Sequence, residues 1–223
     1  MISFFSMSSL LRRYAFTAPA VLAMWVISAL RWPALPDRVP IHWNLEGQID
    51  GWGPKAVGLL LAPVIGTLAA LFADLGARRS SALARSAGFP LIIDGLVAFF
   101  LVVHVATLWQ LDVPRLIGVS AGLLFVLMGL AMPRLEPNPW AGVRTPWTLL
   151  SRRSWVETHQ LAGKVFVVHG LLVFLSAFAG PVVMAAVLLG GLALGMPWVV
   201  WRSWRSWSAD PSRIEPGGGS PAR

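Results

Sequence analysis

The stretch FPLIIDGLVAFFLVVHVATLW, residues 89–109, decides the fold class of this chain. Asp94 is the only acidic or basic residue in it apart from a histidine, His104. About 20 apolar residues in a helix cross the roughly 30 Å hydrocarbon core of a bilayer. A helix also satisfies its backbone hydrogen-bonding groups within the segment, as lipid requires. The stretch therefore predicts a membrane-spanning helix.

Five further apolar runs lie on either side of this stretch. The chain has 223 residues, of which 56% are hydrophobic and only 13% charged, so it is too apolar for a soluble domain of its size. The predicted spans are residues 14–30, 56–75, 89–109, 116–132, 162–179 and 182–201. The sequence predicts an all-α polytopic membrane protein, a bundle of six transmembrane helices.

The distribution of positive charge predicts the orientation. If the six spans alternate in direction, Arg31, Arg38, Lys55 and Arg115 lie on one side, and the other Lys and Arg residues of the 18 lie on the opposite side. The positive-inside rule then places both termini in the cytoplasm and the protein in the cytoplasmic (inner) membrane. The formal net charge of +8 is explained by this topology and by contact with the lipid bilayer, so a nucleic-acid partner is not expected.

The predicted spans divide the chain into four parts. They are a cytoplasmic arm (1–13), a first helix pair (14–75) with an external loop (31–55), a four-helix remainder (76–209) with a cytoplasmic loop (133–161), and a disordered tail (210–223) rich in Pro, Gly and Ser. The chain has no Cys, which excludes disulfides and thiolate chemistry. Gly118 and Gly122, like Gly191 and Gly195, have the spacing of helix-packing faces, with a homodimer as the alternative use.

The external loop contains the polar stretch PDRVPIHWNLEGQIDGWGPK, residues 36–55. Its prolines favour extended backbone and Asp50-Gly51 favours a turn, which together predict a short hairpin. The candidate binding residues of this loop are Pro36, Pro40, His42, Asn44, Gly47, Asp50 and Lys55. His42, Glu46 and Asp50 leave a metal site open, but their spacing matches no ligand motif. A packed polar loop or a partner-binding surface is favoured, and no metal or cofactor is expected.

The cytoplasmic loop contains a second polar stretch, NPWAGVRTPWTLLSRRSWVETHQLAG, residues 138–163. Thr145 followed by Pro146 is a strong helix start. The residues that follow have one apolar and one charged face, which predicts a helix lying in the cytoplasmic interface before the fifth span. Gly142 and Gly163 are the predicted hinges of this helix.

Three ionisable residues lie inside predicted spans: Asp94, His104 and His169. An ionisable group in a bilayer costs a few kcal/mol unless it is paired. We expect Asp94 to pair with Arg144 or His169, or else to be a neutral, hydrogen-bonded acid. The same three residues suggest an alternative function, a small membrane transporter or exporter with an intramembrane polar path. The absence of a visible inverted repeat weakens that hypothesis.

The cytoplasmic stretch carries a combination of residues that resembles the signature of the SdpI family of bacterial integral-membrane immunity proteins. The matching residues are Asn138, Gly142, Val143, Arg144, Thr145, Pro146, Trp147, Thr148, Trp155, Thr158, His159 and Gly163. The external loop is similar to the domain of unknown function that often precedes this signature. The two resemblances together cover nearly the whole chain except the tail.

The resemblance implies a membrane protein that protects its producer from an extracellular peptide toxin and that, in the best-known case, also binds a cytoplasmic transcriptional repressor. It implies that the matched cytoplasmic residues form the partner-binding site. Family members tend to be acidic between Thr148 and Trp155, where this chain has Arg152 and Arg153, so the same repressor is in doubt. A membrane-embedded hydrolase is a third hypothesis. No HExxH-like or serine-nucleophile motif supports it, so we do not expect an enzyme.

Overall fold

A computed structural model describes residues 15–215 of the chain. The predicted arm at 1–13 and residues 216–223 of the tail lie outside this part. The helices are α1 (Thr17–Arg31), α2 (Lys55–Arg79), α3 (Ser81–Arg85), α4 (Gly88–Leu108), α5 (Val113–Ala131), α6 (Pro146–Leu150), α7 (Arg152–Ser176) and α8 (Pro181–Ser208). Strands β1 (Arg38–Trp43) and β2 (Ile49–Pro54) form an antiparallel pair between α1 and α2.

Five of the described helices are long and apolar enough to cross a membrane. They are α2, α4, α5 with the 3₁₀ turn that follows it, α7 and α8. Helix α1 occupies the first predicted span but has 15 residues from Thr17 onward, fewer than the roughly 20 that a bilayer core requires. The protein is therefore mostly helical and crosses the membrane several times.

Helices α5 and α7 approach each other closely through small residues. A Cβ atom added at Gly122 would lie 2.7 Å from the carbonyl oxygen of Gly170, and one added at Gly129 would lie 2.6 Å from that of Gly163. Helices in lipid gain little from the hydrophobic effect when they associate, so this backbone proximity contributes much of their attraction. The predicted packing glycines of α5 thus serve contacts within the bundle, and a homodimer is untested.

The connections between helices lie at two opposite ends of the bundle. At the first, the hairpin end, the Arg31 guanidinium donates to the carbonyl of Leu108 at 3.0 Å, and Gly47 lies beside Pro114 and Pro181. At the second, the signature end, Arg85 forms an ion pair with Glu136 at 3.2 Å. The signature end contains residues 133–161 and the segment after α8. The two polar stretches of the sequence therefore lie at opposite ends of the bundle.

The predicted interfacial helix differs from the one observed. Thr145 is indeed the N-cap of α6 and Pro146 its first residue, but α6 ends at Leu150. Ser151 is extended, with φ −149° and ψ 120°, and its hydroxyl caps a new helix that runs without interruption to Ser176. Gly163 is not a hinge, because it lies inside α7 against Gly129.

Candidate functional site

The hairpin is closed by a compact turn. The Asn44 N–H donates to the carbonyl of Gln48 at 2.9 Å, and the Gln48 N–H donates back to the Asn44 side chain at 2.8 Å. Gly47 has φ +83°, a conformation that glycine adopts without steric cost. The strand register shifts between Pro40 and Trp43, as in a β-bulge, which increases the local twist.

A small apolar cluster holds the hairpin against the helices. Leu35 and Val39 are buried against Leu59 of α2 and Leu108 of α4. The Lys55 backbone N–H donates to the Asp37 carbonyl at 2.9 Å, and the Lys55 ammonium lies 3.2 Å from the Asp37 carboxylate. The base of the hairpin is therefore fixed, while its outer strand faces remain open.

A cavity of about 540 Å³ lies between the hairpin and the helix ends. Its lining is predominantly apolar, with polar side chains at a few positions. Pro40, His42 and Asn44 line it from the hairpin, His104 and Thr107 from α4, and Met184 and Ala185 from α8. A concave, apolar site with a few polar groups is the usual form of a ligand pocket. The hairpin end can thus accept an apolar ligand.

The remaining candidate residues of the hairpin lie on its surface. His42 Nδ1 lies 2.6 Å from the Asp50 carboxylate, and both side chains are exposed. Within residues 15–215, no three His, Asp or Glu side chains come together as a metal site, so Glu46 does not complete a cluster with His42 and Asp50. Pro36 is also exposed, at the start of the hairpin.

The three intramembrane residues have separate partners. The Thr17 hydroxyl donates to Asp94 at 2.6 Å, so the expected pairing of Asp94 with Arg144 or His169 is wrong. Arg144 instead donates to the Pro139 carbonyl at 2.6 Å. His104 Nε2 lies 3.1 Å from the Ser28 hydroxyl, and the His169 ring contacts Phe125 at 4.9 Å between centroids.

Among the described residues, these partners lie on two different helices, α1 and α5, and at different depths. Asp94 and His104 are ten residues apart on one helix, about 15 Å along its axis. His169 lies on α7 and packs against Gly191 of α8. His104 Nδ1 and His169 Nε2 are buried and have no hydrogen-bond partner among the described residues.

At the signature end, Asn138 organises the loop that follows α5. Its side-chain oxygen accepts from the N–H groups of Trp140 and Ala141, both at 2.8 Å. Its side-chain amide donates to the carbonyl of Glu136 at 2.8 Å. A buried asparagine that replaces backbone partners in this way stabilises one loop conformation. Asn138 is accordingly a structural residue.

His159 joins this loop to α7. Its Nδ1 lies 2.8 Å from the Trp155 carbonyl, and its Nε2 accepts from the Val143 N–H at 3.1 Å. Both bonds form at once when Nδ1 carries the proton and the ring is neutral. The Trp155 ring stacks on the imidazole with centroids 4.0 Å apart, and the indole N–H donates to the Leu135 carbonyl at 2.9 Å. Gly142, at φ +102°, leaves no room for a Cβ beside His159.

A second group of bonds fixes the start of α6. Thr145 and Thr148 cap each other's backbone, and the Thr148 hydroxyl also donates to the Val143 carbonyl at 2.8 Å. The Thr145 hydroxyl lies 3.1 Å from that of Ser203 on α8. Helix α6 is thereby tied both to the preceding loop and to the last helix.

The segment after α8 closes the junction between α6 and α7. The Ser151 hydroxyl donates to the Asp210 carboxylate at 2.5 Å, and the Ile214 N–H donates to the Leu150 carbonyl at 3.0 Å. The tail that was predicted to be disordered from Asp210 therefore makes defined contacts as far as Glu215, which pairs with Arg213 at 2.8 Å. Hydrogen bonds from Ser151 and Ser212 hold the pKa of the Asp210 carboxyl below its usual value.

Few of the signature residues reach the surface. Asn138, Thr148, Trp155, Thr158 and His159 are all buried. Arg144 and Pro146 are exposed, while Gly142, Thr145 and Trp147 are partly exposed. Most of the signature therefore builds the fold, and a partner at this end could touch only a minority of its residues.

The sequence did not single out the serines that complete this network. Ser154 donates to the Ser203 carbonyl at 2.8 Å, and Ser206 donates to Glu157 at 2.7 Å. The repeat WRSWRSWS at residues 201–208 was the available signal, since its serines at every third position define one helix face.

Comparisons with known proteins match two separate parts of the chain. Residues 20–67 match the model of a domain of unknown function (DUF1648), and residues 134–201 match that of the SdpI/YfhL protein family. The chain is 26% identical over 183 residues to the immunity protein SdpI of Bacillus subtilis (strain 168), which covers 78% of this chain and 86% of that protein. No solved structure matches. The family resemblance inferred from the sequence is confirmed.

Proposed function

We propose that this multi-pass cell-membrane protein, whose sequence carries the SdpI/YfhL family signature, is an immunity protein that protects its cell from a secreted peptide toxin. The observation that carries the proposal is the similarity to a protein named for immunity over 78% of the chain. That similarity also covers 86% of the length of the relative. The cavity beneath the hairpin adds a physical site at which a peptide can bind.

The proposal includes six spans, with both termini and the signature end in the cytoplasm. Ten arginines at or near the signature end support this orientation by the positive-inside rule, and the four basic residues of the hairpin end are few by comparison. The ten are Arg78, Arg79, Arg85, Arg134, Arg144, Arg152, Arg153, Arg202, Arg205 and Arg213. In this proposal α1 lies in the sixth span, which the sequence predicts over residues 14–30.

The sidedness can be tested because the chain has no native cysteine. Glu46→Cys on the hairpin and Arg144→Cys at the signature end replace exposed side chains. In intact cells, a membrane-impermeant maleimide should label the first variant and not the second. Labelling of the second variant alone would reverse the orientation.

In this proposal the toxin occupies the cavity with an apolar segment. The predominantly apolar lining favours such a segment by removing its surface from water, and the exposed strand faces of the hairpin offer further contacts. His42 and Asn44 would provide polar contacts at the edge of the cavity. The proposed toxin site thus lies at the surface that an extracellular peptide meets first.

A cytoplasmic regulator is the second part of the proposal. The exposed side chains available to it at the signature end include Arg144, Pro146, Leu149, Arg152 and Val156. Their positive charge favours an acidic partner surface. Regulator binding can be measured separately from toxin protection, by purifying the tagged protein from its native cells and identifying any transcriptional regulator that co-purifies.

The test of immunity is replacement of a relative's gene. Bacillus subtilis cells that lack their own SdpI would express this chain and be challenged with the toxin against which SdpI protects them. Survival well above that of cells carrying an empty vector is expected. Killing equal to the empty vector, with the protein present in the membrane at normal amounts, would contradict the proposal.

The role of the cavity in toxin protection can be tested with a matched pair of variants on α8. Ala185 lines the cavity, whereas the adjacent Ala186 is exposed and does not line it. Ala185→Phe should fill part of the cavity and lower protection at least tenfold, while Ala186→Phe should leave it unchanged. Equal protection by both variants would show that the toxin binds elsewhere.

A further inference from the structure

A basic hollow of about 490 Å³ lies at the signature end, between the first turns of α7 and the last turns of α8. Its polar lining includes Arg153, Glu157, Arg202, Trp204, Arg205 and Ser206. We propose that this basic hollow binds the phosphate group of an anionic membrane phospholipid. This inference goes beyond toxin immunity and does not depend on it.

The basic hollow contains more guanidinium groups than carboxylates. Both oxygens of Glu157 are engaged, one by the Arg153 guanidinium at 2.7 Å and the other by the Ser206 hydroxyl at 2.7 Å. Within the described residues, neither Arg202 nor Arg205 forms an ion pair with a carboxylate, although Arg202 lies within electrostatic range of Glu157. An excess of guanidinium groups in one concave site suits a phosphate, which arginine binds through paired hydrogen bonds.

The walls of the basic hollow are held in place by the contacts between α7 and α8. Arg153 donates a second hydrogen bond to the carbonyl of Ala209 at 3.2 Å, and Ser154 ties the two helices together through Ser203. Arg205 is placed over the Trp201 ring, 5.5 Å from its centroid. Asp210 also lies in the field of Arg153, but Ser151 and Ser212 satisfy its carboxylate. The site is therefore largely formed before a ligand arrives.

The tryptophans of α8 indicate the depth of the basic hollow in the membrane. Trp198, Trp201 and Trp204 are 48%, 48% and 42% exposed. Exposed tryptophans along the end of a spanning helix settle at the level of the lipid headgroups. Because Trp204 is also part of the lining, the basic hollow lies at that level, where headgroup phosphates are concentrated. Basic pockets between helices on the cytoplasmic side are known to bind anionic headgroups.

The test is a binding titration on the purified full-length protein in neutral detergent, with phosphatidylglycerol as the probe and phosphatidylcholine and inorganic phosphate as comparisons. Arg202→Gln/Arg205→Gln removes two charges from the basic hollow. Arg79→Gln/Arg134→Gln removes the same charge from exposed positions at the same end and outside the lining. We expect the first variant to bind phosphatidylglycerol at least about tenfold more weakly than the native protein and the second to bind it normally.

Further measurements separate binding from folding. Arg202→Lys/Arg205→Lys keeps the charge and should recover part of the affinity, and raising the salt concentration should weaken binding of the native protein. The melting temperature in phosphatidylcholine should be the same for the native protein and Arg202→Gln/Arg205→Gln.

Four results would overturn the proposal. They are equal affinity for phosphatidylglycerol in the native protein and Arg202→Gln/Arg205→Gln, no preference over phosphatidylcholine, competition by inorganic phosphate at similar concentration, and displacement of the bound lipid by an acidic peptide at similar concentration. Because no toxin is present in these titrations, their outcome is separate from that of the immunity test.

Discussion

The two ends of the bundle use polar residues in opposite ways. At the hairpin end, His42 and Asp50 bond each other on the surface above a cavity of about 540 Å³. At the signature end, His159 is 1% exposed and connects a loop, a helix and a stacked tryptophan. A buried polar group costs free energy unless it is bonded, so the signature end is specified tightly, whereas the hairpin end can change without loss of the fold.

This contrast changes the meaning of the family signature. A set of polar and aromatic residues in a membrane protein suggests a binding surface, and we predicted one. Yet Asn138, Thr148 and His159 direct their hydrogen bonds to the backbone of their own loop. The signature thus largely describes how the loop after α5 is built, and in the proposed function the toxin contacts the less sharply specified hairpin end.

The largest expected effect is that of His159→Ala. The variant leaves the buried Val143 N–H without an acceptor and removes the stacking partner of Trp155. These losses should lower the free energy of unfolding by about 3 to 4 kcal/mol. Thermal unfolding of the purified protein in detergent measures it. The exposed neighbour Gln160→Ala is the control and should shift stability by less than about 0.5 kcal/mol. Equal melting temperatures for both variants would contradict the structural role.

Gly142→Ala should have the next largest effect and lower the free energy of unfolding by about 2 to 3 kcal/mol. Its φ of +102° strains any side chain, and the new methyl group would overlap the ring of His159. Gly180→Ala provides the comparison, because Gly180 has φ +111° with no atom within 4 Å of an added Cβ. The difference between the two melting temperatures isolates the overlap. A greater loss at Gly180 would show that the loop around Gly142 can relax.

Asp210→Asn should have a smaller effect that depends on pH. Hydrogen bonds from Ser151 and Ser212 lower the pKa of the Asp210 carboxyl, so its ionised form stabilises the fold. That contribution is present above the ordinary carboxyl pKa near 4 and is lost as pH falls through the lower value of the folded state. The stability gap between native protein and variant should therefore stay constant down to about pH 5 and narrow as the pH falls further. A gap that stays constant would show that Asp210 acts without its charge.

His42→Ala should have the smallest effect on folding. The His42–Asp50 pair is exposed, and exposed pairs contribute about 0 to 1 kcal/mol. We expect a change below about 0.5 kcal/mol in the melting experiment. A loss comparable to that of His159→Ala would mean that the hairpin end is as tightly specified as the signature end, and the contrast between the ends would disappear.

Hydropathy predicted the apolar helices well because lipid contact and apolar composition are directly linked. The run at residues 89–109 corresponds to α4, Gly88–Leu108, within one residue at each end. Residues 116–132 correspond to α5, which begins earlier, at Val113, because Asp112 caps it and Pro114 fits its first turn. Local capping therefore accounts for the difference.

The fifth span shows where hydropathy fails. It was predicted from residue 162, but α7 begins at Arg152 and contains buried polar residues such as Ser154 and Thr158 in its first turns. Ser154 bonds the Ser203 carbonyl of α8 instead of meeting lipid, and a hydropathy average treats such protein-facing positions as loop. The sequence can predict that Ser151 caps a helix, because capping is local. It cannot predict the bond from Ser151 to Asp210, because these residues are 59 positions apart.

The site residues divide in the same way. Thr145 and Pro146 were placed correctly at a helix start because their signal is local. The partner of Asp94 was predicted wrongly, because a carboxylate in a helix can reach several neighbours. Only the packing of α1 brings Thr17 to it. The cavity beneath the hairpin had no sequence signal, since its walls come from five separate elements.

The bond between Ser151 and Asp210 also imposes an order on biogenesis. As the chain emerges from the ribosome, the α6–α7 junction must wait until the last helix has been inserted and residues 210–214 have been made. A nascent chain interrupted just before Asp210 would contain every membrane-spanning helix. It would still lack the partners of the Leu150 carbonyl and the Ser151 hydroxyl. Formation of these two bonds thus distinguishes finished molecules from unfinished ones.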